Sequence, residues 1–370
     1  MFKRFICPIA VLSGTIIGVG FFSLPYITLK VGIWVMLAYL IVLGGLVALI
    51  HYLFGKVAVA TPDFLRLPGY ARFHLGKWGK RVSLLSAIVG ILGALLAYLI
   101  VGGEFLESLL GPVFGGGNLF YSLIYFMAGF LIIFFGIKIV SKIEFWGMAL
   151  FFIVLAIIFF NGFPHIKIEN LFFKSNISLF FLPYGPILFS LWGASIIPEV
   201  EEMLGEKKEL LKKIIPVSVL ILILIYSLFI ILILGITGAS TTESALTGLK
   251  DFLGPGLFSL GIVLGLLATF TSFISLGLTL KKVFSYDLKV NNHVSLAITC
   301  FVPLILFLIG IKSFIPVISF VGGITIGIDG ILILLMYNKI SRRKFLVLPL
   351  ALVLLGGIIY EIIYFITPGR

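Results

Sequence analysis

Residues 13 to 25 read Ser-Gly-Thr-Ile-Ile-Gly-Val-Gly-Phe-Phe-Ser-Leu-Pro, inside the first long apolar stretch of the chain. A helix that only has to cross a bilayer has no use for this density of glycine followed by proline, since both weaken or end a helix. The stretch predicts a break. Non-helical backbone at membrane depth leaves N–H and C=O groups that only protein, water or ligand can satisfy, so the break is a candidate binding site. A second interrupted stretch, Phe189-Ser-Leu-Trp-Gly-Ala-Ser-Ile-Ile-Pro198, opens a second half of the chain. Broken segments in corresponding positions of two halves point to the site of a secondary transporter.

The surrounding sequence has membrane composition. It is 61% hydrophobic and 11% charged over 370 residues, where soluble domains carry about 25% charged residues. An all-α polytopic membrane protein is expected. Stretches of roughly 20 apolar residues predict about eleven spans, near 7–28, 33–55, 82–106, 119–138, 144–162, 181–199, 214–238, 256–280, 293–311, 314–337 and 345–366. With the N-terminus inside, most of the 27 Lys and Arg residues fall on the cytoplasmic side. Only Lys30, Lys167, Lys174, Lys250, Lys312 and Arg370 are left outside, as the retention of cations during insertion requires. The net charge of +12 follows from the same bias and is spread over every inner loop, which argues against a nucleic-acid partner. The start Met-Phe-Lys-Arg resembles a secretory signal, but its apolar run continues through the glycine motif without a cleavage site.

No loop is long enough to bury a core of its own, so one transmembrane domain, 1–370, is expected. The longest inner loop, Thr61 to Arg81, mixes aromatic and cationic residues and should lie along the inner surface. Ser240-Thr-Thr-Glu243 fits a capping box. Ala245, Leu246, Leu249, Phe252 and Leu253 follow at helical spacing, which predicts a short amphipathic helix on the outer face.

Little in the chain suggests catalysis. His51, His74, His165 and His293 are scattered, and Cys7 and Cys300 both sit in apolar stretches. Neither a metal-ligand spacing nor a disulfide framework results. A Gly-x-Ser-x-Gly elbow, a phosphate loop and paired aspartates are all lacking, so an enzyme is not expected. What remains are glycines, hydroxyls and a few acids. Freed helix N-termini suit a carboxylate and freed carbonyls an ammonium, so the breaks fit a zwitterion. Glu199 at an inner span end is expected to be solvated or paired, and Glu104 and Glu361, near outer span ends, to be wetted. Asp329, in the glycine-rich Gly322-Gly-Ile-Thr-Ile-Gly-Ile-Asp-Gly330, is left between a structural pairing and a proton or gating role.

These residues carry a resemblance. Gly14 to Pro25 resembles the first-span signature of amino acid permeases of the amino acid/polyamine/organocation superfamily, in particular the aromatic amino acid and amino acid/auxin branches. Phe189 to Pro198 resembles their sixth-span signature, and Ala97-Tyr98 and Ala268-Thr-Phe-Thr-Ser272 resemble parts of their third and eighth spans. The resemblance implies a LeuT-like fold with inverted repeats at about 7–162 and 181–337 and an extra helix at about 345–366. It implies a secondary transporter importing a neutral or aromatic amino acid by alternating access across the cell membrane. By motif match Ser13, Gly14, Thr15 and Gly18 would meet the substrate carboxylate and Ser190, Leu191 and Gly193 its ammonium, with Tyr98 and Trp192 closing over it.

A sodium ion would fall on Gly14, Ile17, Ala268, Thr271 and Ser272; no other cofactor and no obligatory protein partner is implied. Coupling to protons is the alternative, with Asp329 as the protonatable group, and the fifth span lacks the lysine that some proton-coupled relatives carry. A sensor that binds an amino acid without moving it, and an ion-only carrier or channel, are the competing functions.

Overall fold

The computed structural model describes residues 2–62, 65–135, 153–173, 176–342 and 344–367, and among them the chain is helical with no strand. Helix α1 (Phe2–Ile16) and helix α2 (Leu24–Val31) form one bent span, turned by 61° and joined by a 3₁₀ turn at Val19–Ser23. Helices α3 (Ile33–Val59), α4 (Leu67–Phe114) and α5 (Asn118–Phe135) follow. Helix α6 (Ile153–His165) is the described part of the fifth expected span. A second interrupted span comprises α7 (Tyr184–Leu191) and α8 (Ile197–Leu204). It leads into α9 (Leu211–Thr237), α10 (Pro255–Lys282) and α11 (Asn292–Leu308). Helices α12 (Phe314–Phe320) and α13 (Gly327–Ser341) are joined by a π-helical segment at Val321–Ile326, and α14 (Lys344–Ile366) ends the described chain.

Among the described residues, seven helical runs are long and apolar enough to cross a membrane, and the bent pair adds an eighth. Each half opens with a broken helix followed by continuous ones, and both broken spans restart on a proline, Pro25 and Pro198. Proline suits a first helical turn, where its missing N–H would have had no partner. The end of the bundle holding the start of α1 is called here the N-terminal face, and the opposite end the distal face.

Position in the bundle follows from how much of each helix is covered. In the span containing α12 and α13, 72% of the most apolar stretch is buried, against 22% in α14, so the former is central and the last helix peripheral. Helix α4 bends at Gly76, whose φ of +80° favours glycine. The bend sets the segment 67–75, part of the expected Thr61 to Arg81 loop, apart from the rest of the helix. Thr61 Oγ1 meets His74 Nε2 at 2.9 Å and ties that helix to the end of α3. Partial burial lowers the pKa of His74 below its ordinary value.

Three expectations are corrected. The Ser240–Glu243 capping box does not form; the segment is a 3₁₀ helix, Leu246–Asp251, entered through Ala245 at φ +58°. Its hydroxyls bond one another instead, Thr242 to Thr247 at 2.7 Å and Ser244 to Thr247 at 2.9 Å, while Thr242 accepts from the Gly248 N–H. The apolar face was read correctly: Leu246, Leu249 and Leu253 are buried, and only Phe252 turns outward. Glu361 is not wetted but 1% exposed, accepting from the Gly185 N–H in the room left by Gly185 and Gly323. Glu104 is half-buried and hydrogen-bonded to Ser244 of the distal loop.

Candidate functional site

The two breaks lie against each other. The first is centred on Ile17 and on Gly18, whose backbone is extended; the second on Trp192, also extended, and Gly193. A Cβ on Gly20 would lie 2.5 Å from Ser190 Oγ and 2.6 Å from the Phe189 ring, and one on Gly193 2.5 Å from Ile16 Cγ1. Only residues without side chains allow this approach.

The backbone freed at the breaks is satisfied from neighbouring helices. The Val19 N–H, first in the new turn, donates to Tyr98 Oη of α4 at 3.3 Å, and that hydroxyl also bonds Ser272 of α10. One phenol thus ties the first break to two further helices. On the other side Tyr226 Oη of α9 donates to the Ser190 carbonyl at 2.7 Å. The Gly193 N–H donates to His51 Nε2 of α3 at 3.2 Å, and the Trp192 ring centroid lies 5.1 Å from that imidazole.

The structure gathers most of the expected site residues here. Gly14, Gly18, Tyr98, Ser190, Leu191, Trp192 and Gly193 lie at or beside the breaks. Ser13 is buried next to them, its hydroxyl without a hydrogen-bond partner. Ser190 Oγ bonds back to Pro186 at 2.7 Å, so its carbonyl, rather than its hydroxyl, takes part in the contacts of the break. Thr15 is not brought in: it is exposed and donates to its own helix at Val11. Of the expected sodium ligands, Ile17 is buried at the first break and Ala268 and Thr271 lie half-buried on α10; Thr271 Oγ1 donates to the Leu267 carbonyl at 2.8 Å, and Ser272 is engaged by Tyr98. Asp329 of α13 lies beside Ser86 of α4, whose hydroxyl donates to the Thr325 carbonyl at 2.8 Å, and its Oδ1 has no hydrogen-bond partner; it sits between those helices rather than in the breaks. Among the described residues no group of three or more His, Cys, Asp or Glu could hold a metal ion. The first part of the fifth span, residues 144–152, where half of the stretch lacking a lysine falls, lies outside the described residues.

His51 and Tyr226 were not anticipated. An ionisable ring within the apolar run Leu46 to Phe54 was a readable signal, since such a group in a span marks a functional position by default.

Above the breaks, toward the distal face, the bundle is closed by aromatic rings. Phe21 stacks 3.8 Å from Phe229 and 5.4 Å from Tyr226, and Phe22 meets Phe105 edge-on at 5.3 Å. Leu246 and Leu249 of the distal loop cover this cluster, and Gly265 of α10 leaves room for both Phe105 and Leu246. Helix α4 is buried on all sides from 94 to 103, but from 87 to 93 every residue is half-exposed.

This arrangement resembles known transporters. The structure superposes on the crystal structure of MhsT in complex with L-phenylalanine with a TM-score of 0.67, at 14% identity over 96% of this chain and 97% of that one. It also superposes on a manganese transporter of Eremococcus coleocola at 0.70, with 14% identity over 100% of this chain and 89% of that one. The inward-facing conformation of Mhp1 matches at 0.66, with 11% identity over 91% and 76% of the two chains. At such identities the likeness carries the fold alone, a LeuT-like transporter fold with discontinuous first and sixth spans. In sequence, the tyrosine-specific transport system 1 of Haemophilus influenzae is 25% identical over 317 residues, covering 80% of this chain and 78% of that protein. The profile of the tryptophan/tyrosine permease family matches residues 1–367, so the chain is a multi-pass membrane permease rather than an enzyme and belongs to the tryptophan/tyrosine permease family.

Proposed function

We propose that the protein imports an aromatic amino acid, tyrosine or tryptophan, across the cell membrane by alternating access. The observation that carries this reading is the pair of adjoining breaks bridged by Tyr98 to α10. Freed N–H groups at the start of the second half of the first span, with the unpartnered Ser13 hydroxyl, suit the substrate carboxylate. Carbonyls ending α7, at Ser190 and Leu191, suit its ammonium. Tyr98 and Trp192 then face its side chain. The family match and the tyrosine-specific relative support the substrate class.

The moving parts are the repeats at about 7–162 and 181–337. With the N-terminus cytoplasmic, as the cation bias favours, the aromatic cluster closes the outer path.

The coupling ion is proposed to be sodium, held by carbonyls at Gly14, Ile17 and Ala268 and by the hydroxyls of Thr271 and Ser272. Oxygen dipoles without a carboxylate suit a monovalent cation, because each replaces part of its hydration shell. Both hydroxyls have partners in this conformation, so sodium binding has to redirect them. Uptake of labelled tyrosine and tryptophan into proteoliposomes checks the reading. It should rise with an inward sodium gradient and fall at least roughly fivefold in Thr271→Ala and Ser272→Ala, the loss of about one ligand each. Uptake driven by a pH gradient without sodium, with both variants active, would replace sodium by protons and turn attention to Asp329. Binding without any counterflow would mark a sensor.

A further inference from the structure

His51 is fully buried at 0% exposure, yet it is not held as a structural histidine is held. Its Nε2 accepts from the Gly193 N–H, so that nitrogen carries the lone pair and Nδ1 the hydrogen. Nδ1 is itself buried and without a hydrogen-bond partner. A core histidine ordinarily satisfies both nitrogens, because an unpaired buried donor is costly. Here the one bond made goes to the unwound backbone of the sixth span, where the helix offers Gly193 no acceptor of its own. The ring also abuts Trp192. Gly330 of α13 closes on the far side of that indole, where a Cβ would lie 3.5 Å from Trp192 Cη2.

We propose that His51 is a positioning residue of the substrate site: its neutral ring holds Gly193 and Trp192 in the arrangement the amino acid meets. The inference rests on the amino acid site proposed above. A proton on Nε2 would set two N–H groups against each other and leave Gly193 unpaired.

Helix α3 packs against α2, α7, α8, α9 and α13. The titratable groups these present are engaged elsewhere or lack a partner, as Asp329 Oδ1, Glu199 Oε2 and the Tyr184 hydroxyl do. Tyr226 bonds the Ser190 carbonyl, Asp329 lies beside Ser86, Glu201 pairs with Lys208, and Lys30 lies over the Tyr26 ring. Glu199 faces Arg66, while Tyr184 adjoins Gly357 of α14. Lys212, Lys213, Glu202 and Lys339 are exposed, Tyr337 is buried, and on α3 itself Lys56 lies over Tyr52, with Tyr39 against Phe180. None of these is hydrogen-bonded to the ring.

The test is binding of radiolabelled L-tyrosine and L-tryptophan to the purified full-length protein in detergent, where no gradient exists, at neutral pH. His51→Leu, which keeps volume but offers no acceptor, should weaken binding about tenfold at neutral pH, the worth of one buried hydrogen bond. His51→Gln places an amide oxygen at similar reach and should restore most of the affinity. Wild-type affinity in His51→Leu, or binding by His51→Gln no tighter than by His51→Leu, overturns the proposal; if His51→Leu does not fold, loss of binding in a folded His51→Gln overturns it alone. A wild-type protein that binds no amino acid overturns the proposed function and this inference together, whereas tight wild-type binding with an indifferent His51→Leu overturns the inference only.

Discussion

At Gly193 the missing side chain is occupied by a neighbour: Ile16 fills the place a Cβ would take. Gly193→Leu must therefore push α1 away from the second break. We expect folded protein in the membrane and uptake reduced at least a hundredfold, measured beside membrane yield, because the two breaks can no longer adjoin. Tyr98→Phe is a milder probe in the same assay. It removes the hydroxyl shared by Val19 and Ser272 while keeping the ring, and should raise KM about five- to thirtyfold, as the loss of roughly 1–2 kcal/mol implies. Both residues stood out in the sequence, because glycines in an apolar run and a tyrosine in a matched motif are local signals. His51 did not stand out in the same way: its partner lies 142 positions away, and only packing brings the two together.

Among the elements, the π-helical segment Val321–Ile326 depends on a backbone contact. A Cβ on Gly322 would collide with the carbonyl of Gly185, which no side-chain rotation can relieve. Gly322→Ala should lower the melting temperature in detergent, at the roughly 1–3 kcal/mol typical of overpacking, and loosen α7 against α12. If the melting temperature stays unchanged, this helix crossing is not close in solution. The glycine-rich run from 322 to 330 was visible in the sequence, but the register shift of the π-helix was not, since it answers to the neighbouring broken span. The distal loop makes the opposite case. Its apolar spacing was legible, whereas its 3₁₀ form follows from threonine and serine hydroxyls bonding across the turn, which spacing does not encode.

At the scale of the whole molecule, the aromatic cluster and the distal loop close one end of the bundle. Leu249 is buried at the closed end, so a cysteine there reports the cycle directly. In whole cells expressing Leu249→Cys, a membrane-impermeant thiol reagent should label the residue slowly, and saturating substrate should change that rate. A rate indifferent to substrate would make the loop a static cover; labelling only in inverted vesicles would reverse the orientation.

The sequence alone determined the membrane class, the near-continuous series of apolar spans and the places where two of them break. Hydropathy and helix-breaking residues act locally, and a bilayer imposes the same demand on every span. The tertiary structure decided which helices satisfy the broken backbone: Tyr98, Tyr226 and His51 reach it from three different spans. It also decided that Glu361 is buried, that Thr15 turns away and that one face is closed. Those outcomes depend on which side chains meet across the bundle, and a hydrogen bond between distant residues leaves no period or motif in the chain that makes it.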